Sequence, residues 1–216
     1  MHILTGHFHQ IYSVAFDGVR IASGGLDTTV RVWDAETGYV STQIVSLSGS
    51  LTDRVAFSQC IALLQGHTAL VCQLQLSPTL LATGGSDGRV ITFSLATYTP
   101  LHRIAAHDSS VASLQFDNEF LVTGGNDGRV RLWEVESGSY VRELSEPSEH
   151  VWKVAFGGGG LNKKADIGGA GRDVLAIMCK RNTKTAVEIW SLRPKKRNAL
   201  VGNVKTIKRV EDTQEK

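Results

Sequence analysis

Three segments of this chain align without a gap, and that repeat limits the fold more than any other feature. They are "GHFHQIYSVAFDGVRIASGGLDTTVRVWD", "GHTALVCQLQLSPTLLATGGSDGRVITFS" and "AHDSSVASLQFDNEFLVTGGNDGRVRLWE". His7, His67 and His107 open them. Asp27, Asp87 and Asp127 each stand 20 residues after their His, and Trp33, Phe93 and Trp133 stand 26 after it. Three independent landmarks in one register mark a supersecondary unit stacked on its own copies.

Each unit reads as short strands. "IYSVAF", "VCQLQL" and "VASLQF" alternate with period two and send apolar side chains to one face. "RIAS", "LLAT" and "FLVT" form a second strand, and "TVRVW", "RVITF" and "RVRLW" a third. Between these, "GGSDG" and "GGNDG" supply turn residues that tolerate positive φ. "IALLQ" and "LHRIA" form a fourth strand. No helical apolar period is sustained. Four antiparallel strands per unit predict an all-β chain built of propeller blades.

The Gly-His opening, the Asp in the hairpin turn and the closing "VWD" resemble the WD-repeat family over roughly residues 1–192. The resemblance implies a structural hydrogen-bond tetrad in each blade. In the first blade it comprises His7, Ser23, Asp27 and Trp33, and in the third His107, Thr123, Asp127 and Trp133. The second has His67, Thr83 and Asp87, but Phe93 lacks the indole N–H, so that network ends one donor short. A His, an Asp and a hydroxyl also make up a hydrolase triad. Their recurrence in every repeat, beside a tryptophan or its substitute, favours the structural role. No other convergence of nucleophile, base and oxyanion donors is present, so the chain reads as a non-enzyme.

A fourth unit is worn. "SEHVWKVAF" aligns with "HQIYSVAF", so Val151 stands opposite Ile11 and Phe156 opposite Phe16. "AVEIWSL" sets Trp190 opposite Trp33, the Gly-His position falls at Glu146 and Pro147, and the turn Asp falls near Lys184. The leading "HILT" resembles the fourth strand of a preceding blade. The expected organisation is a partial propeller over 1–192, with three clear repeats at about 7–39 plus 60–66, 67–106 and 107–146, and a degenerate one at 147–192. A basic disordered tail, 193–216, follows; its "RPKKR" resembles a short nuclear-import signal. Four blades read as the C-terminal part of a larger propeller, through a fragment or a truncated gene model.

Two inserts interrupt the pattern. His7 to His67 spans 60 residues where His67 to His107 spans 40, and removing residues 40–59 restores both the spacing and a fourth strand. The insert is a surface loop, a degraded repeat ("DRVAFS" resembles "YSVAFD") or translated intron. Val-Ser encoded as GTAAGT, Leu-Thr-Asp containing CTGAC and a terminal CAG for Gln favour the intron; long structureless loops are uncommon in compact domains. The second insert, residues 157–171, "GGGGLNKKADIGGAG", sets Lys163 and Lys164 after glycines. It misses the GxxxxGK[ST] spacing of a phosphate loop and reads as a flexible loop or a second translated intron.

A net charge of +2 gives no basis for nucleic-acid binding. The three cysteines, Cys60, Cys72 and Cys179, form no close pair, so neither a disulfide framework nor a zinc site is expected. No apolar run is long enough to span a bilayer. No cofactor, metal or small-molecule substrate is expected.

The repeat wording is most similar to the propellers of fungal F-box/WD-repeat proteins, which serve as substrate receptors of cullin-based ubiquitin ligases. The resemblance implies a non-catalytic domain that binds a protein or peptide in the cytoplasm or nucleus; the alternatives are a WD-repeat scaffold of another pathway (traffic, chromatin or signalling) or a non-functional truncated gene model. Members that read phosphopeptides project arginines from the start of the first strand and from the residue before the turn Asp. Those positions here hold Tyr12, Cys72, Ala112 and Trp152, then Leu26, Ser86 and Asn126. None is arginine. Tyr12, Trp152, Leu26, Ser86 and Asn126 are the candidate partner contacts.

Overall fold

The computed structural model describes residues 3–35, 60–156 and 174–191. Both inserts, residues 36–39 of the first repeat and the tail from 193 lie outside the described residues.

Four antiparallel sheets follow one another along the chain. The first contains β1 (Ile11–Phe16), β2 (Arg20–Gly25), β3 (Val30–Asp34) and β4 (Ala62–Leu64). The second contains β5 (Val71–Leu76), β6 (Leu80–Gly85), β7 (Arg89–Ser94) and β8 (Pro100–Ala105). The third contains β9 (Val111–Phe116), β10 (Phe120–Gly125), β11 (Val130–Glu134) and β12 (Tyr140–Glu143). Among the described residues the fourth contains three strands, β13 (His150–Phe156), β14 (Val174–Arg181) and β15 (Lys184–Ser191). Neighbours in sequence are neighbours in each sheet, so every sheet is an up-and-down meander.

Short polar residues set the first hairpins. The Asp17 carboxylate accepts the backbone N–H of Val19 (2.9 Å) and Arg20 (2.6 Å), and Asp117 does the same for Glu119 and Phe120, both at 2.8 Å. In the second blade the Ser77 hydroxyl takes the Leu80 N–H at 3.1 Å. These side chains hold a tight turn locally, before any contact with another blade forms.

The core lies between sheets. Ala22, Val30, Val32 and Leu64 pack on Val71, Leu81, Ile91 and Phe93 of the second blade. Ala82, Val90 and Ile104 pack on Val111, Leu114, Phe116 and Leu121 of the third, and Val122, Val130 and Leu132 on Val151, Val154, Leu175 and Ile177 of the fourth. The second strand of a blade is covered on both faces, and all six residues of β6 are buried. The paired glycines follow from this. A Cβ at Gly24, Gly84 or Gly124 would lie only 2.7–2.8 Å from a γ-methyl of Val71, Val111 or Val151 in the next blade.

Two features depart from the sequence reading. Ile3, Leu4 and Thr5 form no strand and pair with no strand among the described residues. In the fourth blade the ladder continues to Arg181↔Lys184 and closes in a two-residue turn, Asn182 (φ 50°) and Thr183 (φ 65°). Two positive-φ central residues make a turn whose twist matches the flanking strands.

Candidate functional site

The repeat landmarks converge at one end of each of the first three sheets. In the first blade His7 Nδ1 lies 2.8 Å from Asp27 Oδ2, and His7 Nε2 lies 2.8 Å from Ser23 Oγ. The Trp33 indole N–H donates to the same Ser23 oxygen at 2.9 Å. The third blade repeats this: His107 Nδ1 to Asp127 Oδ1 at 2.9 Å, His107 Nε2 to Thr123 Oγ1 at 2.9 Å, and Trp133 Nε1–H to Thr123 Oγ1 at 3.0 Å. In the second blade His67 meets Asp87 at 3.1 Å and Thr83 at 2.8 Å. Phe93 is buried without a polar atom, and Thr83 Oγ1 lies 3.0 Å from the Ile91 carbonyl, which offers its hydroxyl a second acceptor.

In the second and third blades the second glycine of the pair makes room for this network. A Cβ at Gly85 or Gly125 would collide with the Asp87–His67 or Asp127–His107 pair. The sequence shows the glycines as turn formers; their packing against the imidazole appears only in three dimensions.

Protonation follows from the surroundings. Burial acts to raise the Asp27 pKa, but donors from His7, Thr29 and the Phe8 backbone outweigh it and hold the carboxyl at about 2. Asp87 is held below its usual range in the same way: burial opposes, while the N–H groups of Thr68 and Arg89 prevail. Burial pushes His67 and His107 below the usual imidazole range, against the pull of Asp87 and Asp127. A neutral imidazole facing a carboxylate carries its proton on Nδ1. Nε2 is then the acceptor, and the Thr83 or Thr123 hydroxyl donates to it. In the third blade Thr123 therefore donates to His107 and accepts from Trp133. Ser23, Thr83 and Thr123 are buried, so none of these hydroxyls is open to a substrate.

The fourth blade carries a different network. Trp190 Nε1–H donates to Glu188 Oε2 at 3.1 Å, and Arg181 pairs with Glu188 Oε1 at 2.8 Å. The same guanidinium donates to the carbonyls of Glu146 (2.9 Å) and Pro147 (3.2 Å), where a Gly-His would stand. Sequence reasoning missed this set. Counting back from Trp190 places the turn near Lys184, whereas counting forward from the β14 residue equivalent to Ser23, Ile177, places Arg181 at the Asp position.

The candidate partner contacts share one rim. Tyr12, Cys72, Ala112 and Trp152 are each the extra residue where the inner strand slips register against the second strand. Such a bulge re-aims the side chain. Tyr12 is 57% exposed and Trp152 39%. Cys72 instead turns inward, its Sγ 3.2 Å from the Val111 carbonyl. The backbone N–H groups of Leu26, Ser86 and Asn126 bond to the carbonyls of Gln10 (2.9 Å), Leu70 (2.8 Å) and Ser110 (2.9 Å), just before the inner strands. Leu26 and Asn126 are exposed and Ser86 is half-buried. Among the described residues no cluster of His, Cys, Asp and Glu could hold a metal ion, and no helix is long and apolar enough to cross a membrane.

Meander sheets packed face to face, three of them pinned by a buried His–Asp–hydroxyl set, define a partial β-propeller of the WD-repeat class. The family model described as "WD domain, G-beta repeat" matches residues 1–34, 58–94 and 98–134, half of the chain, and the chain belongs to that family. It is 26% identical to Cell division control protein 4 of Saccharomyces cerevisiae over 73% of its own length, and 32% identical to the F-box/WD repeat-containing protein sel-10 of Caenorhabditis elegans over 62%. It spans only 21% of the length of each of those two. It is 29% identical to Regulator of rDNA transcription protein 13 of S. cerevisiae over 72% of this chain and 86% of that protein. The crystal structure of the computationally designed Ika4 protein superposes with a TM-score of 0.65 at 22% identity, covering 88% of this chain and 96% of that one, a likeness of fold. The chain is thus a WD-repeat protein-interaction scaffold.

Proposed function

We propose that this chain is a non-catalytic protein-binding propeller serving as the substrate-recognition part of an F-box/cullin ubiquitin ligase. The observation that carries the binding role is the rim: two exposed aromatics, Tyr12 and Trp152, stand on inner-strand bulges at the end of the blades where Leu26, Ser86 and Asn126 bond to the segments before the inner strands. Aromatic side chains supply large contact area at small entropic cost and dominate binding energy at interfaces. The rim has no arginine at the phosphate-reading positions, so its ligand is a protein or peptide held by apolar and neutral polar contacts. The burial of Ser23, Thr83 and Thr123 supports the absence of catalysis. The reading includes no cofactor, small-molecule substrate, nucleic acid or membrane, and places the protein in the cytoplasm or nucleus.

Similarity to Cell division control protein 4 and to a protein named for its F-box supports the ligase assignment. A second reading, a scaffold of another pathway, is favoured by the length match to Regulator of rDNA transcription protein 13. Tagging the protein at its own locus and identifying its co-purifying proteins separates the two. The ligase reading expects a cullin and its adaptor together with a substrate. Recovery of a stable partner without any cullin overturns it in favour of the second reading.

A further inference from the structure

The second and third blades fill one pair of positions in opposite ways. Arg129 and Glu143 of the third blade form an ion pair, Nη1 to Oε2 at 2.9 Å. Glu143 stands opposite Arg131 in the β11–β12 ladder, and Arg103 stands opposite Ile91 at the same place in the β7–β8 ladder. Arg129 and Arg89 each follow their turn Asp by two residues. The second blade thus sets two arginines, Arg89 and Arg103, where the third sets an arginine and a glutamate. The first blade has Thr29 and Leu63 there, with no charge.

Among the described residues neither the Arg89 nor the Arg103 guanidinium has a hydrogen bond or an ion pair. The carboxylate of this turn, Asp87, is engaged by His67 (3.1 Å), the Thr68 N–H (2.9 Å) and the Arg89 backbone N–H (3.1 Å). Arg103 lies over Gly66, its Nη1 2.7 Å from the place of a Cβ there, as Arg31 lies over Gly6. Arg31 and Arg131 work from one position on the third strand, where they donate to Cys60 Sγ and to the Ala106 carbonyl. Ile91 holds that position in the second blade, and Arg103 reaches the same segment from the outer strand without an acceptor. Both arginines are exposed with the first and third blades in place on either side. Next to burial, and against the pull of Asp87, their charges help to hold His67 below the usual imidazole range, so both stand by one ring. Side-chain alternation puts Arg89, Ile91 and the partner of Ile91, Arg103, on one face. Two cations on neighbouring strands of one face repel each other.

We propose that Arg89 and Arg103 bind an acidic segment, two Glu or Asp side chains, of the protein that the rim holds. A carboxylate is the anion that the same two positions already accommodate in the third blade, where Glu143 closes on Arg129. Arginine meets a carboxylate through two parallel N–H donors, and complementary charge sets partner choice and encounter rate more than affinity. Arg89 follows Ser86 by three residues and Arg103 lies on the outermost strand of the blade, so the pair stands outward of the rim at the same end. The apolar and neutral contacts of the rim itself are unchanged by it. The carrier of the carboxylates rests on the protein-binding reading; the response of the two arginines to a carboxylate does not.

The test is a titration of the full 216-residue chain, labelled with nitrogen-15 and followed at the arginine Nε–Hε resonances at fixed ionic strength. The probe is a capped Gly-Glu-Gly-Glu-Gly peptide; its Gln counterpart and inorganic phosphate are the comparisons. Arg89 and Arg103 should respond to the glutamate peptide about tenfold more strongly than Arg142, an exposed arginine of β12, and should ignore the Gln peptide. Arg89→Glu and Arg103→Glu each leave one pair of opposite charges, as in the third blade. Each should abolish the response of the remaining arginine while the amide resonances of the other blades stay in place. Glu143→Arg gives the third blade the same two charges, and Arg129 should then respond as Arg89 does. Equal shifts at Arg142, a response that survives either substitution, an Arg129 that stays silent, or phosphate displacing the peptide at equal concentration overturns the proposal; the last outcome marks a site for small inorganic anions. These shifts are read without the partner, so a rim that fails to bind leaves them unchanged, and the failure of either reading is told from that of the other.

Discussion

The Trp33 indole nitrogen donates to Ser23 Oγ at 2.9 Å, and the residue at that place in the next blade, Phe93, is equally buried with nothing to donate. The chain thus contains its own control for the worth of one donor. Trp33→Phe should destabilise the protein by about 1–3 kcal/mol, because a buried hydroxyl loses its partner and a smaller ring leaves a gap. Phe93→Trp should recover part of a comparable amount by letting Thr83 accept an indole proton. Urea unfolding of both variants checks this. A Trp33→Phe midpoint equal to that of wild type removes the network from the account of stability.

Thr28 has φ 63°, where the second and third blades have Gly88 (73°) and Gly128 (78°). A β-branched residue is strained in that region. Thr28→Gly should therefore raise stability by about 1 kcal/mol, the low end for such strain. Thermal unfolding provides the check, and a lower midpoint counts against it.

The buried pairs also set a pH dependence. Burial holds His67 and His107 below the ordinary imidazole pKa of 6.5, so the unfolded chain takes up protons first. Stability should begin to fall as the pH drops through 6.5. Asp27 titrates at about 2 instead of 3.8, so its contribution is complete above 3.8 and is lost as the pH falls toward 2. Urea midpoints measured across this range should decline in two stages, and His107→Gln should reduce the first. A midpoint that rises on acidification below 6.5 contradicts the neutral-imidazole assignment.

How much of this was legible in the sequence depends on which residues carry the information. The offsets from His7 to Asp27 and Trp33 brought together side chains that do lie within hydrogen-bond distance, because the chain between them is two hairpins of fixed length. The bulge at Tyr12 was hidden, since it is a property of pairing register and not of residue type. The Arg181–Glu188–Trp190 set was hidden for a related reason: the β14–β15 ladder runs three pairs further than in the other blades, which breaks the spacing on which the motif depends. Glu188 at the position held by Arg31 and Arg131 was the available signal.

The first insert lies outside the described residues, but the strands on either side of it predict the effect of its removal. Val32 pairs with Ala62, whereas the corresponding pairs Thr92↔His102 and Leu132↔Arg142 lie ten residues apart. Deleting residues 40–59 restores ten. The deletion should leave the β3–β4 register intact and remove two stretches, "TQIVSL" and "RVAFS", whose sequences suit a strand. The cost of the longer loop is only on the order of 1 kcal/mol, so the larger gain should be in soluble yield. A clear drop in unfolding midpoint on deletion would show the insert to be integral structure.

The central claim is that binding resides on the rim and stability in the buried networks, and one paired measurement separates them. Partner affinity and thermal midpoint should be determined together for Tyr12→Ala/Trp152→Ala and for Thr123→Ala. The rim variant should bind at least tenfold more weakly at an unchanged midpoint, and the network variant should lose midpoint while its folded fraction binds as wild type. A rim variant that binds normally, or one whose binding falls only as its fold is lost, contradicts the claim.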